Sequence, residues 1–278
     1  MTLQALVPLL TYPDAPNAEF GALVANAAQY LGAEIHALVL EPDFRAPANA
    51  VARAVIDVPG MLKGIKDACH IRGQEMSHAM VHAASGANVA IRTGRIEAIP
   101  ERFGEAAAGQ ARYHDLTMFG WNGGNEAVRG AVEAVIFGSG RPVLLLPERH
   151  ESPDYTTVFV AWDGSRVAAR AVADAEPFLS KAARVVVATV TDEKQIAEQQ
   201  PAERLVDHLK RRGIKAEARA VSSNGRPIGQ TLQDEALADK AGLLVLGGYG
   251  HSRLRDFVLG GATKGVLDDL RVPVLLSH

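Results

Sequence analysis

Cysteine is nearly missing from this chain of 278 residues, with Cys69 its single thiol. An intrachain disulfide framework is thereby excluded, and a reducing compartment is the expected setting. Basic charge is not in excess either. The formal charge is −3 and the pI about 6.3, which argues against a nucleic-acid footprint or attraction to an anionic membrane surface. No apolar run approaches the length of a membrane span. The opening MTLQALVPLL lacks the basic start and cleavage site of a secretory signal, so a soluble cytoplasmic protein is expected. Neither a GxSxG elbow nor a P-loop occurs, because Thr263-Lys264 lacks the Walker spacing. No catalytic residue and no metal site is predicted.

What is present suits a well-filled core, with 47% apolar and 22% charged residues. The length is comfortable for two α/β domains. Short apolar runs alternate with helical stretches. In the second half the runs are Thr157–Trp162, Arg184–Val190, Lys215–Val221, Leu243–Leu246 and Val272–Leu276. Lack of alternation in Arg184–Val190 predicts a parallel strand covered on both faces. The first half repeats the order with Leu3–Leu10, Glu34–Leu40, Asn88–Ile91, Leu116–Phe119 and Pro142–Leu146. Its Ala50–Gly86 segment predicts a pair of helices broken near Val58-Pro59-Gly60. The endings Pro142-Val-Leu-Leu and Pro273-Val-Leu-Leu match, as do Thr93-Gly-Arg and Asn224-Gly-Arg after the third strand. Two divergent copies offset by about 131 residues, the separation of Pro142 from Pro273, are therefore expected. The domains would be residues 1–148 and 155–278, joined by a polar stretch.

Glycines gather at the end of the fourth run of the second half, in Gly247-Gly-Tyr-Gly250, and again at Gly260-Gly261-Ala262-Thr263. In an open parallel sheet, ligands bind beyond the carboxyl ends of the strands. Glycine there lets a ligand approach the main chain, and a following helix start offers free N–H groups to a phosphate. A tight loop without a ligand is the alternative. Asp163 could meet a ligand or only cap the next helix, and Thr263 could contact phosphate or be an ordinary early-helix threonine. Arg253 and Arg255 could neutralise a phosphate or be solvated loop charges. His78 and His82, four apart, read as a half-buried helix pair without a third metal ligand.

The spacing of Gly247, Gly250 and Gly260 resembles the G-x2-G-x9-G-[S/T] signature of ATP-binding universal stress proteins. Val158-Phe-Val-Ala-Trp-Asp163-Gly-Ser is similar to that family's first strand, and Val272-Pro-Val-Leu-Leu to its last. The resemblance implies two tandem open parallel-sheet sandwich domains of Rossmann-like type. It also implies ATP or a related adenine nucleotide, with or without Mg2+, on Asp163, Gly247, Gly250, Gly260, Gly261, Ala262 and Thr263. A regulatory stress-response role and a homodimer through the last-strand edge go with it. The chain departs from the pattern at Gly261, where the family has serine or threonine. By the repeat offset the first half places Leu116, Phe119 and Arg129 at the three glycine positions, and Asp14 is displaced relative to Asp163. Nucleotide is not expected there. An interaction module with a decayed site, or an adenylate-using enzyme, are the rival readings.

Overall fold

The computed structural model describes residues 2–13, 20–44, 58–148, 152–192, 201–248 and 261–278. Two compact units emerge, one of residues 1–119 with 125–139, the other of 120–124 with 140–278.

In the first unit, strands β1 (Leu3–Leu10), β2 (Ala33–Pro42), β3 (Ile91–Ala98) and β4 (Leu116–Trp121) lie in the order β3-β2-β1-β4. β1 pairs in parallel with β2 and β4, and β2 in parallel with β3. Helices α1 (Phe20–Leu31), α2 (Val58–Gly86), α3 (Phe103–Ala111) and α4 (Glu126–Gly138) connect them. From Val58 onward α2 is one continuous helix, with Pro59 in its first turn, where a missing N–H costs nothing. The expected break thus marks a helix start, and residues 45–57 before it lie outside the described residues.

Two expectations fail at β3. Asn88 is not the beginning of a strand. It takes a left-handed φ of 55°, and the N–H groups of Ala87, Asn88 and Val89 return to carbonyls of Ala83, Ala84 and Ser85. That is a helix ending, which delays β3 until Ile91. Thr93-Gly94-Arg95 then lies inside β3, where Gly94 pairs with Leu38. Asn224-Gly225-Arg226, its supposed counterpart, forms a turn after the strand, with φ of 51° at Asn224 and 77° at Gly225.

The second unit holds β5 (Val143–Pro147), β6 (Thr157–Ala161), β7 (Arg184–Val190), β8 (Ala216–Val221), β9 (Leu243–Gly247) and β10 (Val274–Ser277), in the order β5-β10-β9-β6-β7-β8. Its helices are α5 (Arg166–Asp174), α6 (Glu176–Leu179), α7 (Pro201–Arg211), α8 (Ile228–Ala238) and α9 (Gly261–Asp268). Val185 to Ala188 of β7 are buried, as an unbroken apolar run between two helical layers requires. On α7, Leu205, Val206 and Leu209 turn inward while Arg204, Asp207 and His208 stay exposed.

β10 is flanked on both sides, by β9 in parallel and by β5 in antiparallel. Leu275 pairs with Leu144, Val274 with Leu145 and Leu276 with Val143. The expected homodimer through the last-strand edge is therefore corrected: β5 of the same chain already occupies that edge. At the other end of this sheet, β8 carries Glu217 and Arg219, which engage Arg184 and Asp239. Charges on an end strand discourage further strand pairing.

Candidate functional site

Strand order reverses in the second unit at β6. From β6 the chain moves outward through β7 and β8, then returns to the other flank of β6 as β9. β6 and β9 pair from Val158 and Leu243 to Val160 and Val245, and beyond them the chain leaves in different directions. In an open α/β sheet this reversal opens a crevice at the carboxyl ends. Asp163 follows β6 and Gly247 ends β9, so the sheet brings these two predicted residues to the same crevice.

Asp163 is exposed, and its Oδ1 accepts the N–H of Ser165 at 2.9 Å. Ser165 Oγ in turn accepts the N–H of Ala168 at 3.2 Å, capping α5. The cap of α5 is thus Ser165 and not Asp163, which holds the turn just before it. Gly247 is explained by packing of a different kind. A Cβ at this position would stand 2.5 Å from Ala168 N and 2.6 Å from Val167 C. The group that approaches its backbone so closely is the first turn of α5.

Gly261 opens α9, is exposed, and has open space where a Cβ would project. Ala262 is partly exposed, whereas Thr263 is only 3% exposed and shares the inner face of α9 with Val266 and Leu267. That burial favours the ordinary early-helix threonine. Gly250, Gly260, Arg253, Arg255 and Asp14 lie outside the described residues.

Sequence reasoning missed two neighbours of this crevice. Trp162 donates its indole N–H to Pro201 O at 2.9 Å, tying the end of β6 to the start of α7. Asp192, just beyond β7, accepts from Ser222 Oγ at 2.6 Å, Ser223 N at 2.9 Å and Asn224 N at 3.0 Å. These bonds, that from Ser222 foremost, hold its carboxyl well below the usual carboxylate range. They also fix the turn after β8, for which Asn224-Gly225 was the available signal.

The first unit can now be aligned by register instead of by a single offset. Ala5 pairs with Leu116 as Val158 pairs with Leu243. Counting along the strands, buried Leu10 takes the position of Asp163, and Gly120 and Gly123 correspond in sequence position to Gly247 and Gly250. This corrects the assignment of Leu116, Phe119 and Arg129 to the glycine positions. The first half keeps G-x2-G but not the long connection, because Asn125 starts α4 almost at once. Its Oδ1 accepts from Ala127 N at 3.0 Å and Val128 N at 3.1 Å. N–H groups that an anion would need are thereby already satisfied.

His78 and His82 are exposed on α2, not half-buried. Among the described residues, no three His, Cys, Asp or Glu side chains converge to hold a metal ion. Cys69 is buried, its thiol directed to Thr11 O at 3.5 Å. No helix among the described residues is long and apolar enough to cross a membrane.

Taken together, the elements define a tandem, open parallel-sheet α/β protein with a reversal of strand order in its second unit. No protein-family model and no curated relative matches the chain. Solved structures do. A universal stress protein from Archaeoglobus fulgidus DSM 4304 superposes with a TM-score of 0.71 at 16% identity, covering 98% of this chain and 95% of that one. A candidate universal stress protein from Pseudomonas aeruginosa UCBPP-PA14 gives 0.53 at 16% identity, over 99% and 93%. A functionally unknown protein from Pseudomonas aeruginosa PAO1 gives 0.50 at 16% identity, over 99% and 92%. The chain has the universal stress protein fold in its tandem form.

Proposed function

We propose that the protein binds an adenine nucleotide, ATP or a close relative, in the crevice of its second unit. The observation that carries this reading is the convergence of Asp163 and Gly247 where the strand order reverses, with Gly261 opening the helix that follows β9. Asp163 would meet the nucleoside. The Gly247–Gly250 turn would pass beneath it, and N–H groups from Gly260 to Thr263 would meet phosphate, with Mg2+ as an optional companion. Residues 1–148 would form a repeat whose nucleotide site has been lost, and 155–278 the repeat that keeps it. The role that goes with such binding is regulatory, in a cytoplasmic stress response.

A specific observation favours a second reading. Gly247 and Asp163 each have a structural duty toward α5, as an interaction module without nucleotide would require. Denaturing the purified protein and identifying any released nucleotide separates the two, backed by calorimetric titration of the stripped chain with ATP, ADP and AMP. Stoichiometric release or binding supports the nucleotide reading. Absence of both leaves the interaction module.

A further inference from the structure

Two imidazoles are buried in the first unit, far in the chain from the glycine segment. His36 on β2 is 7% exposed and His114, in the turn between α3 and β4, is 3% exposed. His114 Nδ1–H donates to Gln110 O at 2.8 Å, which leaves a lone pair on its Nε2. That nitrogen receives Nδ1–H of His36 at 3.0 Å, and a guanidinium nitrogen of Arg92, from β3, stands 3.2 Å away. One lone pair thus faces two donors. If His114 took a proton at Nε2, that N–H would face the Nδ1–H of His36, which would have to exchange its tautomer, and a second cation would stand beside the Arg92 guanidinium. His36 offers no better place, because its protonation would set a cation beside Arg92. Its Nε2 also fills the space beside Gly94, where a Cβ would stand 2.9 Å from it.

Other charged groups face the pair. Glu34 on β2 accepts from the Gln4 side chain at 2.8 Å, and Asp115 accepts the Gln4 backbone N–H at 2.9 Å. Both carboxylates favour protonation, Glu34 of His36 and Asp115 of His114, but burial and Arg92 outweigh them.

We propose that His36, His114 and Arg92 form an acid-labile latch that fastens the α3–β4 turn to β2 and β3, so that proton uptake opens the first unit locally. The direction follows from linkage. Burial first, then Arg92 and His114, hold His36 down to about 4, and burial lowers His114 also. Both are below the value of about 6.5 that an exposed imidazole has. Between those values the open chain binds protons that the closed one refuses. Stability is fully present above about pH 6.5 and is lost as pH falls toward 4.

Hydrogen exchange of backbone amides, corrected for intrinsic rates, tests this in the full chain. From His36 alone, the opening constant of amides in α3 and at the start of β4 should rise about 20-fold between pH 7 and pH 5. Amides of β6, β7 and β9 serve as the internal reference and should change much less. His36→Asn keeps a donor near the Nδ1 position but does not titrate, so its ratio should fall severalfold below that of the wild type. Equal ratios in wild type and variant, or equal ratios in both units, would overturn the latch. Should the variant fail to fold, the imidazole resonances of the wild type decide. Rings that stay neutral below pH 5.5 support the latch, and ordinary titration near 6.5 refutes it.

Discussion

Beyond β1 the carbonyls of Thr11 and Pro13 are bound by a side chain of α2, whereas beyond β6 Asp163 and Gly164 are exposed. In the first unit, Arg72 Nη1 donates to Thr11 O at 2.6 Å and Pro13 O at 2.9 Å. Gly73 lets α2 descend until a Cβ there would stand 2.7 Å from Val39 Cγ1. Glu41, at the end of β2, meets His70 of α2 at 3.0 Å and Arg95 of β3 at 3.4 Å. Strands laid down on one plan have been finished in opposite ways. In the first unit the carboxyl edge is spent on internal bonds, with leucine in the aspartate position and a helix start capped by Asn125. In the second, Asp163 is exposed and α9 opens on Gly261, with open space where a Cβ would project. Closing such an edge therefore needs no change of fold, only side chains that satisfy it from within.

The comparison breaks most readily at Gly247. Its Cβ space is filled by backbone of α5, which cannot yield as a side-chain tip could. Gly247→Ala is expected to destabilise the second unit by about 1–3 kcal/mol, read as a lower denaturant midpoint in that unit. Unchanged stability would mean that α5 can withdraw, and the glycine would again require a ligand to explain it.

Asp163→Asn sharpens the contrast with Leu10. Asparagine retains the oxygen that accepts from Ser165 N, so stability should hold. If the carboxylate also binds a nucleoside hydroxyl, affinity should drop about tenfold, the worth of a hydrogen bond to a charged group. Calorimetry on the two chains measures it. Intact affinity would confine Asp163 to its role in the turn just before α5.

In the first unit, Asn125→Ala removes the side chain that caps α4. The expected cost is about 1 kcal/mol, seen as faster exchange in the first turn of α4. Nucleotide stoichiometry should stay at one per chain, since Leu10 still blocks the aspartate position. A second equivalent in calorimetric titration would show that capping by itself silences the first unit.

Much of this architecture was legible from local pattern. β1 from Leu3 to Leu10 and β7 from Arg184 to Val190 have the bounds that their apolar runs imply. The tandem order followed from repetition of such runs. What escaped was set by contacts distant in sequence. Nothing around Gly247 announces that Val167 and Ala168 will rest on it. Asn88 looks like the edge of a strand until the left-handed residue that ends α2 is seen. A single offset misaligned the repeats because the connection after β4 is short while α4 is longer than α9. The free edge expected for β10 vanished because its partner lies in the same chain. In the candidate site, Asp163 and the glycine spacing were visible as residue types, but the packing of α5 on Gly247 was not.

The smallest expected effect tests the helix start itself. Gly261 is the first residue of α9 and is exposed, with nothing within 4 Å of a built Cβ. It is also not among the glycines with positive φ, so serine there should bring no backbone strain. Alanine and serine should each leave the fold intact, and any difference between them belongs to the hydroxyl. If phosphate lies against this turn, Gly261→Ser adds one hydrogen bond to a charged group. Because backbone N–H groups already serve the phosphate, a gain of about 1 kcal/mol is expected, near fivefold in Kd. Gly261→Ala should bind like the wild type. The buried position of Thr263 makes compensation from that hydroxyl small, so the gain should not be masked. Affinities of the three chains under identical conditions decide the matter. Serine tighter than alanine places the ligand at the start of α9. Serine equal to alanine moves the phosphate away from this helix and leaves its opening glycine to be explained by the chain that precedes it.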